Sequence, residues 1–159
     1  MNAWKSKAIR QMKSGRIATL ELFSKLTPRQ ISAPHTQGEW SIKDVLAHFV
    51  AWEEVAVSRL MWIRAGKPEK VHYFEDINES NRFNARAVRR LSALSWKQLL
   101  ARAKEIRGKL EAEILNLPEA ELNNPAHRYP VKKWLPEFAW THEAGHRRRI
   151  SKAQTQNSK

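Results

Sequence analysis

The chain contains no cysteine, which removes disulfides, cysteinyl zinc ribbons and thiol nucleophiles together. Any thiol in its chemistry must come from outside the protein. Long apolar runs are missing as well. The longest are only a few residues, such as Val45 to Ala47 and Phe49 to Trp52 on either side of His48, far short of the roughly 20 residues that span a bilayer. Strand signals are nearly absent, with no sustained alternation and no Asn-Gly or Asp-Gly hairpin turn. What remains, 159 residues with 42% hydrophobic and 28% charged side chains, suits one globular domain rather than a disordered chain or a fibrous repeat. The expected division is a single domain over residues 1–152 and a polar C-terminal tail over 153–159.

Acidic residues are scarce at both ends. The formal net charge is +13, from 29 Lys plus Arg against 16 Asp plus Glu. Residues 1–16 carry Lys5, Lys7, Arg10, Lys13 and Arg16 with no acid, and residues 147–159 carry Arg147, Arg148, Arg149, Lys152 and Lys159 with none. The stretch between them is nearly balanced. A basic surplus can attract nucleic acid or an anionic surface, but no helix-turn-helix spacing or aromatic RNA-binding motif accompanies it. Cations near a helix C-terminus also stabilise the helix dipole with no partner at all. The first residues are basic and acid-free until Glu21, as organellar transit peptides are. They lack an apolar segment of their own and flow into a helical pattern, so they read as the first helix, and the expected location is cytoplasmic.

Helical periodicity dominates. Ile9, Ile17, Leu20, Phe23 and Leu26 recur at helical spacing from about Trp4 to Leu26, and Thr27-Pro28 stops that helix. Ser41 opens a second helix as a capping-box-like start with Asp44, and Ile42, Val45, Leu46, Phe49, Trp52, Ala56, Val57, Leu60 and Ile63 give it a broad core stripe up to about Arg64. Gly66 and Pro68 end it. A third helical region runs from about Ile77 to Leu117, with a break expected near Leu94-Ser95. The last helix is expected to start near Pro136, a residue that suits the first helical position, and to end around Ile150. Four principal helices make an all-α four-helix bundle.

In the last segment Leu135, Phe138, Ala139, His142, His146 and Ile150 fall on one stripe. Two imidazoles at i and i+4 can chelate one ion, and His48 lies at the edge of the second helix's stripe. Rise alone puts His48 about 10 Å into its helix and His142 and His146 about 9 and 15 Å into theirs. Parallel helices would bring the rings to one depth, whereas antiparallel helices leave the register open. Three imidazoles suit Zn, Ni, Fe or a similar divalent ion. From spacing alone, a chance pair near the bundle surface is an equal reading. His142-Glu143-Ala144-Gly145-His146 also matches the H-E-x-x-H pattern of zinc peptidases. Only 13 residues follow His146, with no His or carboxylate among them, and no strand is available to hold a peptide, so the match is accidental.

The stretch Gly38-Glu39-Trp40-Ser41-Ile42-Lys43-Asp44-Val45-Leu46-Ala47-His48-Phe49-Val50-Ala51-Trp52-Glu53 resembles the second-helix signature of the DinB/YfiT-like superfamily of metalloenzymes. Trp140-Thr141-His142-Glu143-Ala144-Gly145-His146 resembles that superfamily's final H-x-x-x-H, and the Asn-Ala-rich start of the third helical region, Asn78 to Asn84, also fits. The resemblance implies a DinB-like four-helix bundle with an unusual connection order, often a homodimer, with a divalent ion, Zn or Ni, held by His48, His142 and His146. Some members are transferases or isomerases using a low-molecular-weight thiol, and the related ClbS/DfsB branch includes a hydrolase. On that footing the expected function is a metal-dependent hydrolase or thiol transferase acting on a small-molecule substrate. The alternatives are a non-catalytic dimeric bundle and a basic nucleic-acid-binding module. Asp44, one turn before His48, is a candidate to orient that ring, although helix capping is its ordinary role. Trp52 and Trp140 are candidates to wall an apolar pocket. Glu143 points about 100° away from His142, which weakens it as a general base.

Overall fold

The computed structural model describes residues 1–157. Among them are seven α-helices and no strand: α1 (Ala3–Ser24), α2 (Pro28–Ser32), α3 (Ile42–Arg64), α4 (Ile77–Ser92), α5 (Trp96–Asn116), α6 (Val131–Ala139) and α7 (Thr141–Asn157). No helix among these residues is long and apolar enough to cross a membrane.

Helix starts follow local chemistry. Thr27 with Gln30, Ser41 with Asp44 and Ser95 with Gln98 each form a reciprocal capping box, satisfying amides that an α-helix start leaves unpaired. Ser95 thereby divides the third helical region into α4 and α5, as expected. Gly66 closes α3 with φ of 70°, a conformation that glycine adopts at no steric cost. Two boundaries differ from the sequence reading. Pro136 lies inside α6, and the chain breaks four residues later at Trp140, whose φ of −134° ends that helix. The helix bearing the two histidines therefore starts at Thr141. It also runs past Ile150 to Asn157, while Ser158 and Lys159 lie outside the described residues.

α3 is the central element. Val45 through Ala51 are all buried, because α2, α4, α5 and α6 pack around this helix. Helix directions follow from paired contacts. Glu54 bonds Arg102 and Arg64 bonds Glu113, so α3 and α5 run parallel. α4 returns antiparallel between them, with Asn84 beside Trp52 and Ser92 beside Asp44. α1 and α7 are parallel neighbours: Trp4 packs on Trp140, Arg16 bonds Glu143, and Arg147 donates to the Gly15 carbonyl. Both oppose α3 and α5. The bundle is therefore α1, α3, α5 and α6–α7, with α4 as the crossover that lets α3 and α5 point the same way.

The α1 face departs from the expected stripe. Ile17 and Leu20 are exposed, and the buried set is Lys5, Ala8, Met12, Arg16, Thr19 and Phe23. Two cations thus stand where an apolar count places none. Lys5 donates through Nζ to the carbonyls of Leu115 and Leu117, closing the C-terminal end of α5. Arg16 enters a buried quartet. Its guanidinium bonds Glu53 and Glu143, while Arg107 bonds Glu53 Oε1 at 2.6 Å and Glu143 Oε2 at 2.7 Å. All four side chains are buried, and two positive charges meet two negative ones, the arrangement that makes buried charge tolerable. Despite burial, Glu53 and Glu143 hold the Arg16 guanidinium above its ordinary pKa.

Replacing Glu53 by Ala leaves two buried guanidinium groups sharing one carboxylate. Urea denaturation should show a loss of about 3–5 kcal/mol. Glu53→Gln keeps the packing and should retain most of that loss, and a loss below about 1 kcal/mol in both variants would contradict the assigned role.

Candidate metal centre

α3 and α7 run antiparallel, and the register that the sequence left open is set by the quartet beside them. Glu143, turned toward Arg16 and Arg107, points α7 so that His142 and His146 face α3 on the adjoining side. There the Nε2 of His142 stands 3.3 Å from His48 Nε2 and 2.9 Å from His146 Nε2. One ring nitrogen from each of the three lies within 4.8 Å of the others. His48 and His146 are buried and His142 is half-buried.

The tautomer of His48 can be deduced. Trp52 Nε1, which can only donate, bonds Asn84 Oδ1 at 2.7 Å, so the Asn84 atom at that point is its oxygen. That oxygen also receives His48 Nδ1 at 3.1 Å. Since it can only accept, the proton of the neutral His48 ring sits on Nδ1, and the Nε2 lone pair faces the other two rings. Trp40 packs against the other side of the ring with centroids 4.8 Å apart.

Burial, helped by the neighbouring His142 and His146, lowers the His48 pKa to about 3. His146 is likewise pushed down to about 3 by burial, then by His142 and Arg149. His142 is lowered by burial and by Arg149. All three imidazoles are therefore neutral at physiological pH, the state in which they ligate. Three Nε2 atoms crowd together although a single N–H can bridge only two of them. The surplus is of acceptors, and His146 Nδ1 is itself buried without a hydrogen-bonding partner. An acceptor-rich, neutral, nitrogen-only set of this kind fits a borderline divalent cation.

The other candidates separate cleanly. Trp52 lines the cavity over the histidines and orients Asn84. Asp44 does not orient His48: its oxygens accept from the Ser41 amide at 3.0 Å and the Ser92 hydroxyl at 2.6 Å, the capping role. Glu143 is turned into the core. Burial raises its pKa, but Arg16 and Arg107 outweigh that and hold the carboxyl below its usual range, so it stays ionised and paired. Trp140 is not a wall of this cavity either, since it packs on Trp4 and lines a separate depression with Arg147. The residue that sequence reasoning missed is Asn84. Ile77, Ser80, Asn81 and Asn84 all line the cavity at helical spacing on one face of α4. The stripe is visible in the sequence, but three of its four members are polar, and apolar periodicity passes over them.

The cavity has a volume of about 440 Å³ and is walled by Trp40, Trp52 and Phe138. Fold and cluster together define a helical bundle whose three converging histidines could hold a metal ion. The sequence profile of the DinB superfamily matches residues 11–150, and the chain belongs to that family. No curated protein and no solved structure matches it significantly.

Replacing Asn84 by Leu removes the acceptor that holds His48 in its ligating tautomer. Metal affinity measured by competition with a chromogenic chelator should fall roughly 10- to 100-fold, with the fold intact by circular dichroism. A second expectation concerns the metal-free protein. A His48 with a folded pKa of about 3, against about 6.5 unfolded, takes up its proton only in the unfolded state between those values. Stability should therefore fall on acidification from pH 6.5 toward 3, by up to about 1.4 kcal/mol per pH unit from this residue. Urea midpoints of chelator-treated protein at pH 7.5 and 5 should diverge less in His48→Phe.

Proposed function

We propose that the protein is a divalent-metal enzyme acting on a small molecule, with His48, His142 and His146 as the three protein ligands. The observation that carries this reading is the convergence of three neutral imidazole nitrogens at the floor of an aromatic-walled cavity. Membership of the DinB superfamily supports it. Zn or Ni fits the nitrogen donors. Such an ion, when bound, would lower the pKa of a coordinated water toward neutrality or bind and acidify an external thiol.

The chain's own groups fall into supporting roles. Asn84 holds the proton of His48 on Nδ1, which keeps Nε2 available. Trp40, Trp52 and Phe138 offer an apolar surface to a substrate and limit the water that reaches the histidines. Glu137 is the acidic residue on the cavity wall, and its side chain is exposed. No cysteine exists to act as a nucleophile, so a transferase reaction would take its thiol from a low-molecular-weight cofactor, whereas a hydrolase would use water.

The decisive measurement is metal content of protein purified without an affinity tag, together with His48→Ala and His142→Ala. Close to one equivalent of Zn or Ni in the wild type, falling at least tenfold in both variants, supports the reading. Equal substoichiometric metal in all three would remove it.

A further inference from the structure

Among the described residues four lysine or arginine side chains are buried: Lys5, Arg16, Arg59 and Arg107. Three of them are matched. Lys5 is held by two carbonyls, and Arg16 and Arg107 by the carboxylates of Glu53 and Glu143. Arg59 of α3 is the exception. Only 5% of it is exposed, and no carboxylate among the described residues forms an ion pair with it. Its hydrogen bond runs from Nε to the His72 carbonyl at 3.1 Å. Rings surround the rest: the guanidinium carbon lies 4.6 Å from the ring centre of Phe138, 4.7 Å from that of Tyr73 and 5.0 Å from that of Trp134. Ring faces attract a cation but offer no lone pair to its in-plane N–H groups. Nη1 and Nη2 are therefore left without an acceptor among the described residues, and neither is among the polar atoms sealed from solvent. Burial lowers the Arg59 pKa to about 10, so the side chain is still a cation at neutral pH. A charge held in this way costs free energy that an anion beside it would offset.

Arg59 also lines a cavity of about 260 Å³, together with Val55, Ser58, His72, Phe74 and Phe83. This cavity is separate from the one over the histidines and lies behind a layer of rings. Trp52, on the histidine side, packs on Phe74 and Phe83 with centroids 5.0 and 5.2 Å apart. The one acid on the wall, Glu54, is already bonded by Arg90 and Arg102, so it does not neutralise Arg59. From this arrangement we propose that the cavity is a second ligand site, one that takes the carboxylate of a small aliphatic molecule, with Arg59 as the residue that binds it. The carboxylate accepts two parallel N–H bonds from the Nη1–Nη2 edge, the fork geometry that distinguishes arginine from lysine. The aliphatic body lies against Val55, Phe74 and Phe83. Phosphate suits this wall less well, because two bonds to one guanidinium leave its remaining oxygens facing apolar groups. The proposal is independent of the metal-site reading, since it uses none of the three histidines.

The test titrates isovalerate and its uncharged isostere isovaleramide into full-length, chelator-treated protein, so that no metal ion can take the carboxylate. Binding is followed at the backbone amide resonances of Ser58 and Phe74, which every variant retains, and at the Arg59 Nε–H resonance. Isovalerate is expected to bind about tenfold more tightly than isovaleramide, and more tightly than inorganic phosphate. Arg59→Gln should reduce the preference over the amide to twofold or less, and Arg59→Lys should keep only part of it, because the charge remains without the fork. Val55→Trp, which leaves Arg59 in place and fills the cavity, should abolish binding of both probes. Equal binding of the two probes, or a preference that survives Arg59→Gln, overturns the inference. If Arg59→Gln does not fold by circular dichroism, Val55→Trp decides: loss of isovalerate binding supports the site, and unchanged binding overturns it. Tighter binding of phosphate than of isovalerate would overturn the carboxylate assignment. Shifts confined to residues of the histidine cavity, such as Asn84, would move the carboxylate there and overturn the inference as well.

Discussion

Two arginines and two glutamates, one residue from each of the four bundle helices, meet in the core. Arg16 of α1, Glu53 of α3, Arg107 of α5 and Glu143 of α7 are each at least nine-tenths buried, and an ionic group in such a place is tolerable only when its partner is held in position. The demand is geometric. Apolar side chains can slide past one another at small cost, but a displaced guanidinium would leave a buried carboxylate alone. The quartet therefore ties the four helices to one mutual rotation and one register. Arg107 extends the tie to the backbone, donating to the carbonyls of Met12 and Ala139.

The histidine cluster depends on that register. Glu143 lies between His142 and His146 in sequence, and Glu53 lies little more than a turn beyond His48 on α3. With the two glutamates drawn to the same pair of arginines, the histidines on the adjoining faces of α3 and α7 are brought together. The glutamate of the H-E-x-x-H string thus has a definite task, opposite in kind to that of a peptidase base. It is ionised, paired and inaccessible, and it aims its neighbours rather than meeting a substrate. The open side of the cluster is furnished by α4, which provides Asn84, and by aromatic residues of α3, α6 and the loop before α3.

The basic ends also change character on folding. Lys5 closes α5, Arg16 joins the quartet, and Arg147 bonds the Gly15 carbonyl and the Thr19 hydroxyl across to α1. Because α1 and α7 lie side by side and parallel, the two basic stretches occupy successive levels of one side of the bundle rather than a common end. Part of a charge surplus that looks like a nucleic-acid footprint is internal structure.

Much of this protein was legible in its sequence where the cause is local. Ser41 and Ser95 cap helices because a hydroxyl can reach an amide three residues on, Gly66 ends α3 because it tolerates positive φ, and the α3 core stripe emerges because all its apolar positions except the half-buried Trp52 are buried. The pairing of His142 with His146 follows from helix pitch alone. The choice of which face of α1 turns inward, the break at Trp140 instead of Pro136, and the role of Asn84 were not available, since each rests on groups distant in sequence. An exposed Ile17 and a buried Arg16 contradict any hydrophobicity count, and only the carboxylates of Glu53 and Glu143 explain them. The sequence by itself determined the principal helical segments and, through helix pitch, the pairing of His142 with His146 on one face. Tertiary structure alone decided that α3 and α7 run antiparallel at the register that brings those rings together, because that register is set by charge pairing across four helices, and no local pattern records it.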